Sequence, residues 1–259
     1  MTAIASSELL TVSGLQMRFG GLMAVNGIDF QVRRNEVFAI IGPNGAGKTT
    51  VFNCVGGFYK PTGGDVILDG HRIAGLPSHL VARKGLVRTF QNIRLFKRLT
   101  VVENLMVAQH LQVKTGLLHG LLATPAYRRA EREALVRAAQ WLDRMELTEV
   151  ANREAGTLSY GHQRRLEIAR CMITKPRLLL LDEPAAGLNP QEKLELQHLI
   201  KRLRHEFGIS VLLIEHDMGL VMGVSDRILV MEHGRPIVTA RPEEVRNDPR
   251  VIKAYLGEE

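Results

Sequence analysis

The segment VFAIIGPNGAGKTT, residues 37–50, restricts the architecture of this chain more than any other stretch. Five apolar residues, too few for a buried helix, run straight into a glycine-rich loop, and an apolar stretch, VFNCV, follows with the look of a helix. Gly42, Gly45 and Gly47 let successive backbone N–H groups turn inward, and the start of a helix adds partial positive charge. The whole run, Gly42, Pro43, Asn44, Gly45, Ala46, Gly47, Lys48, Thr49 and Thr50, is therefore expected to wrap phosphate. Lys48 would reach the β and γ phosphates, and the Thr49 hydroxyl would ligate Mg²⁺. The loop alone does not separate ATP hydrolysis from GTP hydrolysis or from kinase chemistry.

Two further runs repeat the pattern of a short apolar strand ending in polar residues. LLLL (178–181) leads into Asp182, and VLLI (211–214) leads into Glu215 and His216. Such βα alternation predicts an α/β fold whose parallel sheet holds its ligand at the carboxyl ends of the strands. LLTVSG, IDFQVR and DVILDG are strand-sized and separated by turns, so a small antiparallel sheet is expected beside that core. From 92 to 157 the periodicity turns helical: Trp141, Leu142, Met145 and Leu147 share an apolar face after the charged run RRAEREALVR. The chain thus reads as one domain, with residues 1–91 and 158–259 forming the nucleotide-binding core and 92–157 an inserted helical subdomain. Gly116, Gly120 and Pro125 mark a loop or break inside the insert.

The strand ends supply what the loop lacks. Asp182 would reach the ligand edge of the sheet and hold the Mg²⁺ shell, while Glu183 beside it would accept a proton from an attacking water. An adjacent strand would carry His216 towards the γ-phosphate, and Gln91, in RTFQN at the start of the insert, would touch Mg²⁺ or water. A second anion site is also expected. In LSYGHQRRLEIAR (158–170), Ser159 and Gly161 precede the apolar stripe Leu166, Ala169 and Ile173, as a polar cap and a small residue do at the start of a helix.

Composition narrows the setting. Among 259 residues, 45% are hydrophobic and 24% charged, enough for one large core or two modest ones. No apolar run approaches the roughly 20 residues that cross a bilayer, and MTAIASSELLTVSG lacks the basic start and long apolar centre of a signal peptide; a cytoplasmic protein is expected. Cys54 and Cys171 have no metal-ligand spacing and read as reduced, buried thiols. The net charge of +7 is matched by seven basic residues, Arg72, Arg83, Lys84, Arg88, Arg94, Lys97 and Arg98, with no acid between Asp69 and Glu103. That stretch is either a solvated basic face or a surface turned to a membrane or a membrane partner.

GPNGAGKTT, Gln91, LSYGHQ, LLLLDEP, AAGLNP and His216 occur in the order of an ATP-binding cassette, or ABC, ATPase. MRFGGLMAVNG, TVFNCVGGFYKPTGG, VRTFQNIRLF, LLIEHDMGLVMGVSDR and VIKAYLG resemble more closely an ATP-binding subunit of bacterial branched-chain amino-acid importers. The resemblance covers nearly the whole chain. It implies ATP and Mg²⁺ as ligands, Glu183 as general base, His216 as the γ-phosphate contact, Gln91 and Asp182 beside Thr49 around Mg²⁺, and Phe19 stacked on adenine. It also implies a second ATP-binding subunit, identical or related, whose loop the helix start at Ser159 and Gly161 completes. Two transmembrane permease subunits and, indirectly, a periplasmic substrate-binding protein would follow, with the chain at the cytoplasmic face of the inner membrane. Tyr160, His162 and Asn189 depart from the commonest family pattern. Two other readings are a soluble ABC ATPase acting on nucleic acid or ribosomes, which the pI near 9.7 favours and the lack of an added nucleic-acid module disfavours, and a regulatory nucleotide-binding scaffold.

Overall fold

The computed structural model describes residues 8–109 and 125–256, so the positions of Gly116 and Gly120 lie outside the described residues. Two compact units emerge: one runs to Gln91 and resumes at Arg177, and the other is Asn92–Pro176.

The first unit contains both expected sheets. Strands β1 (Glu8–Phe19), β2 (Leu22–Arg33), β3 (Val37–Ile41), β4 (Gly63–Leu68), β5 (His71–Arg72), β6 (Leu86–Arg88), β7 (Leu178–Asp182), β8 (Ser210–Ile214), β9 (Arg227–Glu232) and β10 (Arg235–Ala240) form a four-stranded sheet, β2-β1-β4-β5, and a six-stranded sheet, β10-β9-β3-β8-β7-β6. All pairings in the smaller sheet are antiparallel. In the larger sheet β9, β3, β8, β7 and β6 are parallel and only β10 runs against its neighbour.

Strands covered on both faces favour apolar side chains along their length, which is why β3 and the stretches LLLL of β7 and VLLI of β8 read as hydrophobic runs. All three strands are buried throughout, with the polar residues Asp182 ending β7 and Ser210 opening β8. Phe38 and Ile40, Leu178 and Leu180, and Leu212 and Ile214 alternate onto one face and join a core with Val51, Phe52 and Val55 of the helix Lys48–Val55 and with Leu10, Leu15, Ile28 and Val66 of the smaller sheet. Each such side chain, fully buried, contributes roughly 1.5–3 kcal/mol. The consequence for function is a rigid edge: β3, β7 and β8 end in parallel register at Ile41, Asp182 and Ile214, directly ahead of the three polar segments singled out by sequence.

In the second unit, Thr100 and Glu103 close a capping box on the helix Val101–Ala108. Pro125 opens the helix Pro125–Arg144, a position its missing N–H suits. Ala134, Ala138, Trp141, Leu142 and Met145 recur at helical spacing and are buried, as is Leu147. The helix Tyr160–Met172 falls within this unit, which therefore extends to Pro176 rather than stopping at 157.

Cys54 is buried and Cys171 half-buried; neither is in a disulfide. Burial pushes their thiols up to about 11 and about 12, so both stay protonated near neutral pH. Among the described residues no helix is long and apolar enough to cross a membrane.

Candidate nucleotide-binding site

The loop after β3 has the backbone that its glycines imply. Gly42 lies at φ 150°, where an added Cβ would overlap the Met231 carbonyl oxygen, and Gly47 lies at φ 96°, where a Cβ would stand 2.6 Å from the Ala24 oxygen. The loop is thus pressed against β9 and β2 and leaves no room for side chains at these two places. Lys48 opens the helix from a buried position and donates to the carbonyl oxygens of Gly42 at 2.6 Å and Pro43 at 2.9 Å. Burial lowers the Lys48 pKa below its ordinary value, and the charge of Glu183 works in the opposite direction. Asn44, Gly45 and Thr49 are exposed along the loop. Gly42→Ala is expected to destabilise the protein by about 2–3 kcal/mol through overlap and strain, read as a lower denaturation midpoint; an unchanged midpoint would contradict the tight seat of the loop on β9.

At the end of β7 two adjacent acids diverge. Glu183 has φ 45°, the left-handed region that a non-glycine residue occupies at a cost of about 1–3 kcal/mol. Its backbone N–H still donates to Ile214 O on β8 at 2.9 Å, so the turn is held from the neighbouring strand. The Gln91 amide donates to Glu183 Oε2 at 2.7 Å, and His216 Nε2 lies 2.9 Å from Glu183 Oε1. Three residues read from separate segments thus meet at one carboxylate. Asp182 points elsewhere: Arg88 Nη2 donates to its Oδ2 at 2.6 Å, and both side chains are 7% exposed.

Four residues have surroundings that were not anticipated from sequence. Glu215, 4% exposed, accepts from the backbone N–H of Ala185 at 2.6 Å, His216 at 2.8 Å and Asp217 at 3.2 Å. It ties the AAGLNP segment to the turn that carries His216. Burial raises the pKa of Tyr255, on the helix Pro249–Leu256, and the Gly42 backbone works in the opposite direction. Arg88, counted by sequence within a basic surface, is instead a buried partner of Asp182, and Arg72 is paired with Asp65 at 2.8 Å. The basic stretch is therefore not one continuous face, although Arg83, Lys84, Arg94, Lys97 and Arg98 are exposed.

Phe19 ends β1 at 42% exposure, with the Tyr59 ring edge-on at 5.3 Å. In the second unit Ser159 caps the helix Tyr160–Met172, its hydroxyl accepting from His162 N–H at 3.3 Å. Ser159 and Tyr160 are exposed and no acid occupies the first turn, which leaves this helix start attractive to an anion. Arg164 and Glu167, an i,i+3 pair within the same helix, meet at 2.6 Å with side chains 1% and 5% exposed, and Glu167 also accepts from the Arg94 backbone N–H at 3.3 Å. Asn189, one of the departures noted above, caps the helix Pro190–Phe207 in a capping box with Glu192.

Comparison with known proteins gives the family. The profile of the ABC transporter family matches residues 25–186, from within β2 to just beyond Glu183. The chain belongs to this family. As an ABC ATPase it also matches, over residues 235–259, a branched-chain amino acid ATP-binding cassette transporter family. It is 63% identical to the high-affinity branched-chain amino acid transport ATP-binding protein BraF of Pseudomonas aeruginosa, over 98% of this chain and 99% of that protein. With the same coverage it is 60% identical to the protein of the same description, LivG, of Escherichia coli K12. The crystal structure of the ADP conformation of MJ1267, an ATP-binding cassette of an ABC transporter, matches with TM-score 0.84 and 32% identity, covering 97% of this chain and 99% of that one. The α/β fold with its parallel core, flanking antiparallel sheet and helical insert is thus the ABC ATPase fold, a domain that binds nucleotide. Membership of a transporter family also implies permease partners, and the relatives lend no weight to a role on nucleic acid or ribosomes.

Proposed function

We propose that this ABC ATPase energises an importer of branched-chain amino acids, binding and hydrolysing ATP at the cytoplasmic face of a bacterial inner membrane. The observation that carries the reading is the near full-length identity to proteins described as high-affinity branched-chain amino acid transport ATP-binding proteins. Its partners are a second ATP-binding subunit, identical or related, two transmembrane permease subunits and, through them, a periplasmic substrate-binding protein.

In this reading the backbone of Gly42 to Thr50 cradles the phosphates, Lys48 neutralises the β and γ oxygens, and Phe19 stacks on adenine. Thr49, Asp182 and Gln91 offer a hydroxyl, a carboxylate and an amide oxygen, all hard donors suited to Mg²⁺. Among the described residues no cluster of three or more His, Cys, Asp or Glu could hold a metal alone, which fits an ion that takes few protein ligands and relies on phosphate and water. When bound, Mg²⁺ would offset charge on the β and γ phosphates. Glu183 accepts the proton of the attacking water; the hydrogen bonds from Gln91 and His216 hold its carboxylate in place, and each oxygen keeps a lone pair for that proton. His216 also contacts the γ-phosphate. Ser159 and Gly161 complete the site of the second subunit, so that ATP draws two chains together head to tail and hydrolysis releases them.

Isolation of a tagged chain from detergent-solubilised membranes tests the assignment. Permease subunits and a second ATP-binding subunit are expected to co-purify; recovery with RNA or ribosomes, and without membrane proteins, would overturn it. Arg94, Phe96 and Lys97 are exposed in the second unit and suit a permease contact. Arg94→Glu with Lys97→Glu is accordingly expected to remove the permease from the purified complex while ATP affinity is unchanged, and undiminished co-purification would return these residues to an ordinary solvated face.

A further inference from the structure

Arg88 sits where a cation is costly. Its side chain is 7% exposed, and its guanidinium lies 5.5 Å from the Phe52 ring centroid, 5.3 Å from Phe58 and 5.6 Å from Phe90. Within this aromatic slot Nη1 donates to Asn53 Oδ1 at 2.7 Å and Nη2 to Asp182 Oδ2 at 2.6 Å. Asn53 belongs to the helix that the phosphate-binding loop opens, so one guanidinium spans that helix and the end of β7. Burying such a pair gives little net stability, since desolvation offsets the attraction, and apolar residues of similar volume would fill the slot as well. What the fork supplies is orientation: two donors in a fixed plane, clamped by three rings, allow Asp182 few directions.

We propose that Arg88 is the positioning residue for Asp182, holding Oδ2 so that Oδ1 is presented to the water shell of the nucleotide's Mg²⁺. The proposal rests on the metal role given above to Asp182. The segment from Arg88 to Gln91 then manages both acids at once. Its first residue fixes Asp182, and its fourth, three positions on, donates to Glu183. Thr89 between them pairs with β7 through its N–H to Leu180 O at 2.9 Å, which keeps the segment in register with the acids it serves. Residues that orient a metal ligand typically account for about 10–100-fold of metal affinity.

The test measures binding of a fluorescent ATP analogue to the intact chain in EDTA and across a Mg²⁺ titration, for the unsubstituted protein, Arg88→Met, Arg88→Lys and Asn53→Ala. Arg88→Met is expected to require about 10–100-fold more Mg²⁺ for half of the Mg²⁺-dependent gain in affinity, with affinity in EDTA unchanged. Arg88→Lys, which keeps the charge without the fork, and Asn53→Ala, which removes the second anchor of the fork while keeping the contact to Asp182, should both fall between. A general loosening of the fold would instead weaken binding in EDTA as well. The same Mg²⁺ requirement in Arg88→Met and the unsubstituted chain overturns the proposal. Should circular dichroism show that Arg88→Met does not fold, Arg88→Lys decides: a raised requirement supports the role, and an unchanged one overturns it. An unsubstituted chain whose affinity ignores Mg²⁺ removes the metal role of Asp182 itself, a failure distinct from loss of the Arg88 effect alone.

Discussion

Glu183→Gln leaves ATP bound and lowers its turnover by about 10²–10⁴-fold, the range expected when a general base is removed. The substitution changes almost no volume, and the glutamine oxygen still accepts one of the two hydrogen bonds that Gln91 and His216 now make to the carboxylate at 2.7 Å and 2.9 Å. What it cannot do is take a proton from water. The loss therefore falls on kcat, with nucleotide affinity near its original value, because Lys48 and the loop backbone that would hold the phosphates are untouched. The left-handed backbone at residue 183 is already accommodated by the bond from its N–H to Ile214 O, so little change in stability accompanies the loss. Steady-state hydrolysis is to be measured in the assembled transporter, with nucleotide binding measured in parallel. Near-normal turnover would remove Glu183 from its role.

The residues of this site differ in how visible they were before the fold was known. VFAII, LLLL and VLLI were legible because a strand covered on both faces favours apolar residues along its length, and the polar residues that follow each run announce the ligand edge. Ser159 was legible because a helix cap is local: its acceptor hydroxyl and the His162 N–H are three residues apart. Arg88 was not. Counting charge along the chain placed it in a basic surface, whereas its surroundings depend on the pairing of β6 with β7, which brings Arg88 beside Leu180 and so within reach of Asp182. β6 itself is three residues long, too short for alternation to declare a buried face. Glu215 and Tyr255 were missed for the same reason: an acid next to a histidine and a tyrosine near a chain end are unremarkable until Ala185 N–H and the Gly42 backbone are found against them. Local chemistry could be read directly, but contacts set by register across the sheet had to be seen.

The proposed shared site makes the strongest demand, because in it the helix start at Ser159 would serve a loop on another chain. A Lys48→Ala chain and a Ser159→Arg chain, each also carrying Glu183→Gln so that captured ATP persists, are each expected to fail to dimerise on ATP when alone. Lys48→Ala removes a buried ammonium from the phosphate loop. Ser159→Arg replaces an exposed cap with a long side chain across the helix N-terminus. In the mixture, the intact loop of the Ser159→Arg chain meets the intact Ser159 and Gly161 of the Lys48→Ala chain, restoring one complete site while the other is doubly broken. Where the native partner is a related chain, one substitution is placed in each. The deciding measurement is ATP-dependent dimer formation by size-exclusion chromatography, with retained nucleotide counted in the dimer peak. Dimers holding ATP only on mixing are the predicted result; no dimer in the mixture, when chains carrying Glu183→Gln alone do trap ATP, would contradict the head-to-tail arrangement.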